Sequence, residues 1–371
     1  MNTKFILIFL IAVIFLNATL ISAKVYPPEL KGPYFFVKYS DKFNVTNLSY
    51  DIFVYTPIGV KPLAFEIKGP PYPVVIVSPG LGASKMDYRW IGEHLASHGF
   101  VVILYSVPNR FAWGVSERVD GFKEAINYLE LKNNQKWSPL KGKVDLSKIE
   151  ISGHSLGGGA SVAYIPLDSR VKTAVLLAPY LGSVEGNLTL INIPVQLQIG
   201  DMDSMFYKNE TDLSDDNDST PYDYYKNLST QTKEYIQIKG GNHFQYSESP
   251  ISTLGSFLDC KANISQEMQQ RIALRYLTSW SYYFLKNDSN YYTYLFGETV
   301  VKNLNNQSIS MLDIKIPSLN LSMGSLGKGC VNLMSNMWSD DDENKTSATI
   351  TSLDIGNFLR TTGNIIFEFF N

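Results

Sequence analysis

Strand-like and helix-like segments alternate from residue 70 to residue 240, and that alternation predicts an α/β protein built on a doubly wound, mainly parallel sheet. Three observations carry the prediction. Short continuous apolar runs, such as Val74-Val75-Ile76-Val77 and Phe100-Val101-Val102-Ile103-Leu104-Tyr105, read as strands covered on both faces. Between such runs lie stretches with apolar residues at helical spacing. The runs end in turn-forming residues, Ser78-Pro79-Gly80 and Gly200-Asp201 among them, at the strand ends where such sheets carry functional loops.

In chain order, residues 33–57 give two β-rich runs broken by polar turn residues, the pattern of an antiparallel hairpin opening a mixed sheet. After the strand at Val74, a helix is predicted from Lys85 to His98, stopped by Gly99. Ser116 to Lys132 carries Val119, Phe122, Ala125, Ile126 and Leu129 at helical spacing. A strand then ends at Ile149 and Ile151, and further strands are predicted over 171–177, 195–199 and 235–238, the last of these short. Residues 204–232 form a polar, acidic insertion. An EF-hand reading of it fails, because Asn217 stands where the calcium loop needs glycine and Asp223 where it needs glutamate. Residues 265–285 read as an amphipathic helix with Met268, Ile272, Tyr276, Trp280 and Phe284 in one row facing the core. After Gly297 the periodicity weakens. Residues 299–371 are expected to be a C-terminal extension of unassigned structure, packed on a main domain of residues 24–298.

Composition narrows the class. With 44% apolar and 18% charged residues, the chain of 371 residues can bury a large core, which excludes disorder as its working state. Lys4, the apolar run from Phe5 to Leu16 and a small residue at Ala23 read as a signal peptide over residues 1–23. No later stretch is apolar enough to span a bilayer, so the mature chain is expected to have no membrane span. The net charge of −3, without a basic patch, points away from nucleic acid. Sequons at Asn44, Asn47, Asn187, Asn209, Asn217, Asn227, Asn263, Asn287, Asn306, Asn320 and Asn344 fit an N-glycosylated protein, secreted or held in a secretory-pathway or lysosomal lumen. Two cysteines on that route allow one pairing, so a Cys260–Cys330 disulfide is expected to tie the extension to the main domain. Two distant cysteines and four histidines make a metal site unexpected.

The chemistry gathers around Gly153-His154-Ser155-Leu156-Gly157, set between a strand and a helix-competent run. A serine hydroxyl is a weak nucleophile, and a strand–turn–helix elbow with glycines on either side lifts it toward a base. His94 and His98 belong to an early helix and His154 to the elbow itself. His243, in Gly240-Gly241-Asn242-His243, follows the strand at 235–238 and is the candidate base. The acid that orients it is expected just after the preceding strand, where Asp201 and Asp203 both qualify. Backbone N–H groups for an oxyanion are expected from Leu156 and from the loop Ser78-Pro79-Gly80-Leu81-Gly82.

Taken together, SPGLGAS, LASHGFVV, SGHSLGGGAS, LAPYLG, GDMDS and GGNH resemble the α/β-hydrolase branch of secreted esterases that includes bacterial cutinases and polyester hydrolases, with a further likeness to platelet-activating-factor acetylhydrolases. The likeness covers roughly residues 70–290. It implies an α/β-hydrolase fold and a secreted serine esterase acting on a small-molecule or lipid-like ester without metal or organic cofactor. It also implies Ser155 as nucleophile, His243 as base, Asp203 as acid, the Leu81 and Leu156 amides as oxyanion hole, and Tyr180 as an aromatic wall of the acyl cleft. Leu81 stands where polyester hydrolases usually carry an aromatic residue, so ester hydrolysis carries over and polyester degradation does not. Two rival readings are a phospholipid short-acyl hydrolase and, from another class, a catalytically inactive hydrolase fold used for binding or adhesion.

Overall fold

The continuous apolar runs lie at the centre of one sheet, seen in a computed structural model that describes residues 25–60, 68–182, 184–205, 220–249, 259–306, 308–317 and 319–324. Its ten strands among the described residues run in the order β1-β2-β4-β3-β5-β6-β7-β8-β9-β10. They are β1 (Tyr34–Val45), β2 (Leu48–Val60), β3 (Tyr72–Ser78), β4 (Val101–Tyr105), β5 (Val144–His154), β6 (Val171–Leu177), β7 (Val195–Gly200), β8 (Lys233–Ile238), β9 (Ile309–Ile316) and β10 (Leu319–Gly324). The strands from β4 through β3, β5, β6 and β7 to β8 are parallel, and antiparallel strands flank them on both sides. Every residue of β3, β4, β7 and β8 is buried, as a sheet covered on both faces requires.

Covering helices alternate with the strands. They are α1 (Arg89–Ser97), α2 (Ser116–Asn134), α3 (Leu156–Tyr164), α4 (Pro221–Asn227), α5 (Gln266–Lys286), α6 (Tyr292–Leu295) and α7 (Glu298–Asn305). The segment predicted as one helix from Lys85 begins as a 3-10 turn, Lys85–Tyr88, capped by Ser84 and Asp87, and becomes α-helical at Arg89. The acidic insertion contributes a helix as well. Thr220 caps α4 through a reciprocal bond pattern with Asp223, and Tyr224 and Tyr225 of this helix are buried.

The sheet does not stop at β8. Residues 298–324, placed by the sequence largely in an unassigned extension, supply α7, then β9 paired antiparallel with β8, then β10. A boundary at residue 298 therefore falls inside the fold. The periodicity was weak here because β9 alternates apolar residues with Asp313 and Lys315, and Asp313 accepts hydrogen bonds from Tyr222 (2.6 Å) and Tyr225 (2.9 Å) of α4. The expected signal peptide, residues 1–23, Cys330 and the rest of the extension beyond residue 324 lie outside the described residues. No helix among the described residues is long and apolar enough to cross a membrane.

Helix α5 sits on β5 to β8 through polar as well as apolar contacts. Ile272, Tyr276 and Trp280 of its expected row are buried, while Met268 at its start is exposed. Beneath them the strands present polar side chains at alternate positions. Thr173 Oγ1 accepts from Trp280 Nε1 (2.6 Å), Gln198 Nε2 donates to the Ala273 carbonyl (3.2 Å), and Gln196 Nε2 donates to Glu234 (2.6 Å). Glu150 meets Ser281 Oγ at 3.0 Å, and burial pushes its carboxyl pKa up to about 8, so it is neutral at pH 7.

Candidate active site

Strand β5 delivers Ser155 at its carboxyl end, where the chain turns sharply into α3. Ser155 has φ 54° and ψ −120°, a left-handed backbone conformation that a non-glycine residue adopts only when its surroundings enforce it. The enforcement is steric. A Cβ on Gly153 would lie 2.2 Å from the Gly157 carbonyl, and one on Gly157 would lie 2.3 Å from the Ser78 carbonyl, so strand, turn and helix approach more closely than alanine allows. The Ser155 carbonyl accepts from the amides of Gly158 (2.9 Å) and Tyr180 (2.9 Å), which anchors the turn to α3 and to the loop after β6.

Loops after β7 and β8 bring a carboxylate to an imidazole. Asp203 Oδ2 lies 3.0 Å from His243 Nδ1, and both side chains are buried. Nδ1 therefore carries the proton given to Asp203, which leaves the lone pair on Nε2. Burial by itself disfavours a charged ring, but the charge and hydrogen bond of Asp203, helped by the charge of Asp259, outweigh it and raise the His243 pKa above its ordinary value. Asp201 does different work. Its Oδ1 accepts the Gly240 amide at 2.6 Å, bracing the turn that leads to His243.

A second buried carboxylate, Asp259, ties the two loops together. Oδ2 accepts the His243 amide (2.8 Å), and Oδ1 accepts the Ser204 amide (2.8 Å), the Ser204 hydroxyl (3.0 Å) and the Cys260 amide (2.8 Å). Gln269 of α5 adds a clamp, taking the Asn242 amide at Oε1 (2.8 Å) and giving Nε2–H to the Asn242 carbonyl (2.8 Å).

His154, the residue before Ser155, links His243 to the loop after β3. Its Nε2 lies 3.1 Å from the His243 carbonyl and its Nδ1 2.9 Å from Tyr88 Oη. A carbonyl can only accept, so Nε2 holds the proton and Nδ1 accepts from Tyr88; Tyr88 Oη in turn accepts the Gly80 amide at 3.0 Å. Burial first, and then the neighbouring His243 charge, push the His154 pKa well below the usual imidazole value, so His154 stays neutral when its neighbour protonates.

Gly80 sits against the elbow, where a Cβ on it would lie 3.3 Å from Ser155 Cβ. Leu81 follows it, and Leu156 opens α3. Among the described residues, neither the Leu81 nor the Leu156 amide is found donating to a protein acceptor. Tyr180, whose amide donates a hydrogen bond to the Ser155 carbonyl, is 38% exposed. Cys260 is buried and carries no free thiol, while its expected partner lies outside the described residues. Among the described residues no group of histidine, cysteine, aspartate or glutamate side chains is arranged to hold a metal.

Sequence reasoning picked out Ser155, His243 and the pair Asp201 and Asp203. It passed over Tyr88, Arg118, Asp259 and Gln269. Each makes at least one contact with a distant part of the chain, Tyr88 with the His154 ring and the others with backbone groups, and such contacts leave no spacing pattern. The nearest signal was the position of Asp259 directly before a cysteine.

A parallel sheet with helices on its faces, a serine at a strained strand–helix turn and an acid–imidazole pair beyond the next strand ends define an α/β-hydrolase fold. The chain belongs to the PET hydrolase-like family, whose pattern matches residues 68–311, and it is a carboxylic ester hydrolase. It is similar to Cutinase 1 of Thermobifida cellulosilytica, 25% identical over 225 residues that cover 60% of this chain and 72% of the relative. A cutinase of Thermobifida fusca (strain YX) is 25% identical over 225 residues, 60% of this chain and 63% of the relative. The platelet-activating factor acetylhydrolase of Cavia porcellus is 25% identical over 274 residues, 60% of each chain. The chain thus spans between 60% and 72% of the length of these relatives.

Proposed function

We propose that the protein is a secreted serine esterase that cleaves small or lipid-like carboxylic esters through an acyl-enzyme on Ser155. The observation that carries this reading is the buried Asp203–His243 pair at 3.0 Å, in loops that also hold the neighbour of the elbow serine. Ser155 Oγ attacks the ester carbonyl carbon and passes its proton to His243 Nε2. Asp203 holds the ring and stabilises the imidazolium. The carbonyl π electrons move to oxygen, where the Leu81 and Leu156 amides receive them. Collapse of this intermediate expels the alcohol, which takes the proton from His243. Water, activated by the same base, then releases the acid from Ser155. Tyr180 forms a wall of the acyl cleft.

Entry into the secretory pathway, N-glycosylation and the Cys260–Cys330 disulfide belong to the same proposal. The disulfide would anchor the segment that begins at Asp259, and so steady the clamp on Ser204 and His243. A second reading, hydrolysis of short acyl chains from phospholipids, is favoured by the similarity to the acetylhydrolase of Cavia porcellus. A panel of p-nitrophenyl esters of increasing acyl length, run beside an acetylated phospholipid, separates the two. Fluorophosphonate labelling followed by peptide mapping should find the adduct on Ser155, and an unlabelled but folded protein would point to a binding function instead.

A further inference from the structure

We propose that Arg118 is a positioning residue for ester hydrolysis: by gripping the carbonyls of Pro79 and Gly80 from behind, it turns the Leu81 N–H toward the oxyanion that forms on the Ser155 side. The inference rests on the assignment of Ser155 as nucleophile and Leu81 as an oxyanion donor.

Arg118 lies in the first turn of α2 and is fully buried. Its Nε donates to the Pro79 carbonyl (3.0 Å) and its Nη2 to the Gly80 carbonyl (3.2 Å). Nη1 reaches the carbonyls of Ala112 (3.1 Å) and Gly114 (3.0 Å). Among the described residues it forms no ion pair, so a buried cation is given over to four backbone oxygens. Burying a charge without a counter-ion is expensive, and here the four carbonyl hydrogen bonds offset that cost, which binds the guanidinium firmly to those peptides.

The geometry of the peptide unit supplies that use. In a trans peptide the C=O and the following N–H point in opposite directions. Holding the Gly80 oxygen against the guanidinium therefore aims the Leu81 N–H away from Arg118. The preceding peptide is held at both ends, with the Pro79 oxygen on Arg118 Nε and the Gly80 N–H on Tyr88 Oη. With two successive peptide planes fixed, Gly80 cannot rotate, and it lies against Ser155 with no side chain between them. Arginine suits the task because its planar fork spans neighbouring acceptors, whereas a lysine ammonium holds them as a single point. The cation also polarises the Gly80–Leu81 peptide and so strengthens the N–H as a donor.

The test compares full-length wild type, Arg118→Met, Arg118→Lys and Ser155→Ala. The readouts are kcat and KM for p-nitrophenyl butyrate and inhibition by two probes. A butyl trifluoromethyl ketone accepts Ser155 Oγ at its carbonyl carbon; the serine proton goes to His243 and the carbonyl electron pair becomes an oxyanion. N-butyl butyramide binds as an uncleaved ground-state isostere. Misaiming one donor is expected to lower kcat roughly 10- to 10²-fold, less than its removal would. Trifluoroketone affinity should fall by a similar factor in both Arg118 variants, with KM and butyramide inhibition within about twofold. A merely structural role would lower the melting temperature, or move both probes alike, without separating them. If the Met variant does not fold, the Lys variant decides alone. A folded Arg118 variant with wild-type kcat and wild-type trifluoroketone affinity overturns the proposal, provided Ser155→Ala is inactive. Activity in folded Ser155→Ala would instead bring down the nucleophile assignment beneath it.

Discussion

Ser155 and His243, the proposed nucleophile and base, are held by different kinds of structure. The serine is held largely by near neighbours in the chain: Gly153 and Gly157 allow the close approach and the amide of Gly158 grips its carbonyl, with the Tyr180 amide joining from the loop after β6. The histidine is fixed by residues brought from far along the chain, Asp203 on its ring, Asp259 on its amide and Gln269 on the residue before it. A device built largely from adjacent residues stores strain in one of them. A device assembled over long range depends on the packing of a loop and a helix, and it biases the charge of the imidazole as well as fixing its position.

The largest expected effect breaks the local side of this comparison. Ser155→Ala should lower kcat for p-nitrophenyl butyrate by about 10⁶-fold, with an unchanged circular dichroism spectrum. Substantial turnover by the folded variant would remove Ser155 from the mechanism. On the long-range side, Asp203→Asn should lower kcat by about 10⁴-fold, because an amide cannot favour the tautomer that leaves Nε2 as the acceptor. Asp201→Asn should be far milder, since Asp201 braces the Gly240 turn. A reversal of these two effects would exchange the roles of the aspartates.

Asp259→Asn sharpens the contrast. It removes a charge that raises the His243 pKa and loosens the bonds that hold the base loop. His243 must be neutral to accept the serine proton, so kcat/KM rises with pH as the ring deprotonates. In the wild type that rise should be centred above about pH 6.5, the ordinary imidazole value. Without Asp259 it should move to lower pH, and the plateau should drop by up to about 10²-fold if His243 shifts by around 1 Å. An unmoved acid limb in a pH-rate profile would leave Asp259 with a structural role only.

The smallest effect lies away from the chemistry. The Glu150 carboxyl is held at a pKa of about 8 in the folded protein, above its unfolded value. The folded state thus keeps a proton that the unfolded chain loses near pH 4.5, and stability should fall as pH rises from there toward 8, by about 1.4 kcal/mol per unit at most. Glu150→Gln, which cannot ionise, should flatten this slope in melting temperatures taken between pH 5 and 9. An equal slope in both proteins would assign the dependence elsewhere.

Much of this was legible in the sequence because it is written in short spacing. The apolar runs that became β3 and β4, and the helical spacing from Val119 to Leu129, follow from periodicity. The elbow follows from residues separated by two or three positions. His243 is singled out as the candidate base by its place after a strand. The neighbouring carboxylates were harder, because Asp201 and Asp203 differ only in where a turn aims them. Asp259 and Arg118 were invisible for another reason: each binds carbonyls or amides, which every residue has, and no spacing selects them. Of β9 only Ile314-Lys315-Ile316 reads as β-prone in the sequence, because Asp313 beside it breaks the apolar pattern in favour of contacts with α4.

The polar row beneath α5 has a further consequence. A helix resting on a smooth apolar face can slip along its axis at small cost, since one methyl group substitutes for another. Here the face is notched. Moving α5 by one residue would part Trp280 from Thr173, Ala273 from Gln198 and Ser281 from Glu150, each stranded group costing about 1–3 kcal/mol. The sheet therefore acts on the helix as a rack acts on a pinion, admitting one axial setting. Gln269 is carried on that same helix, one turn before Ala273, and through it the setting reaches Asn242 and the neighbouring base. The placing of the His243 loop is gauged by side chains on the strands below α5.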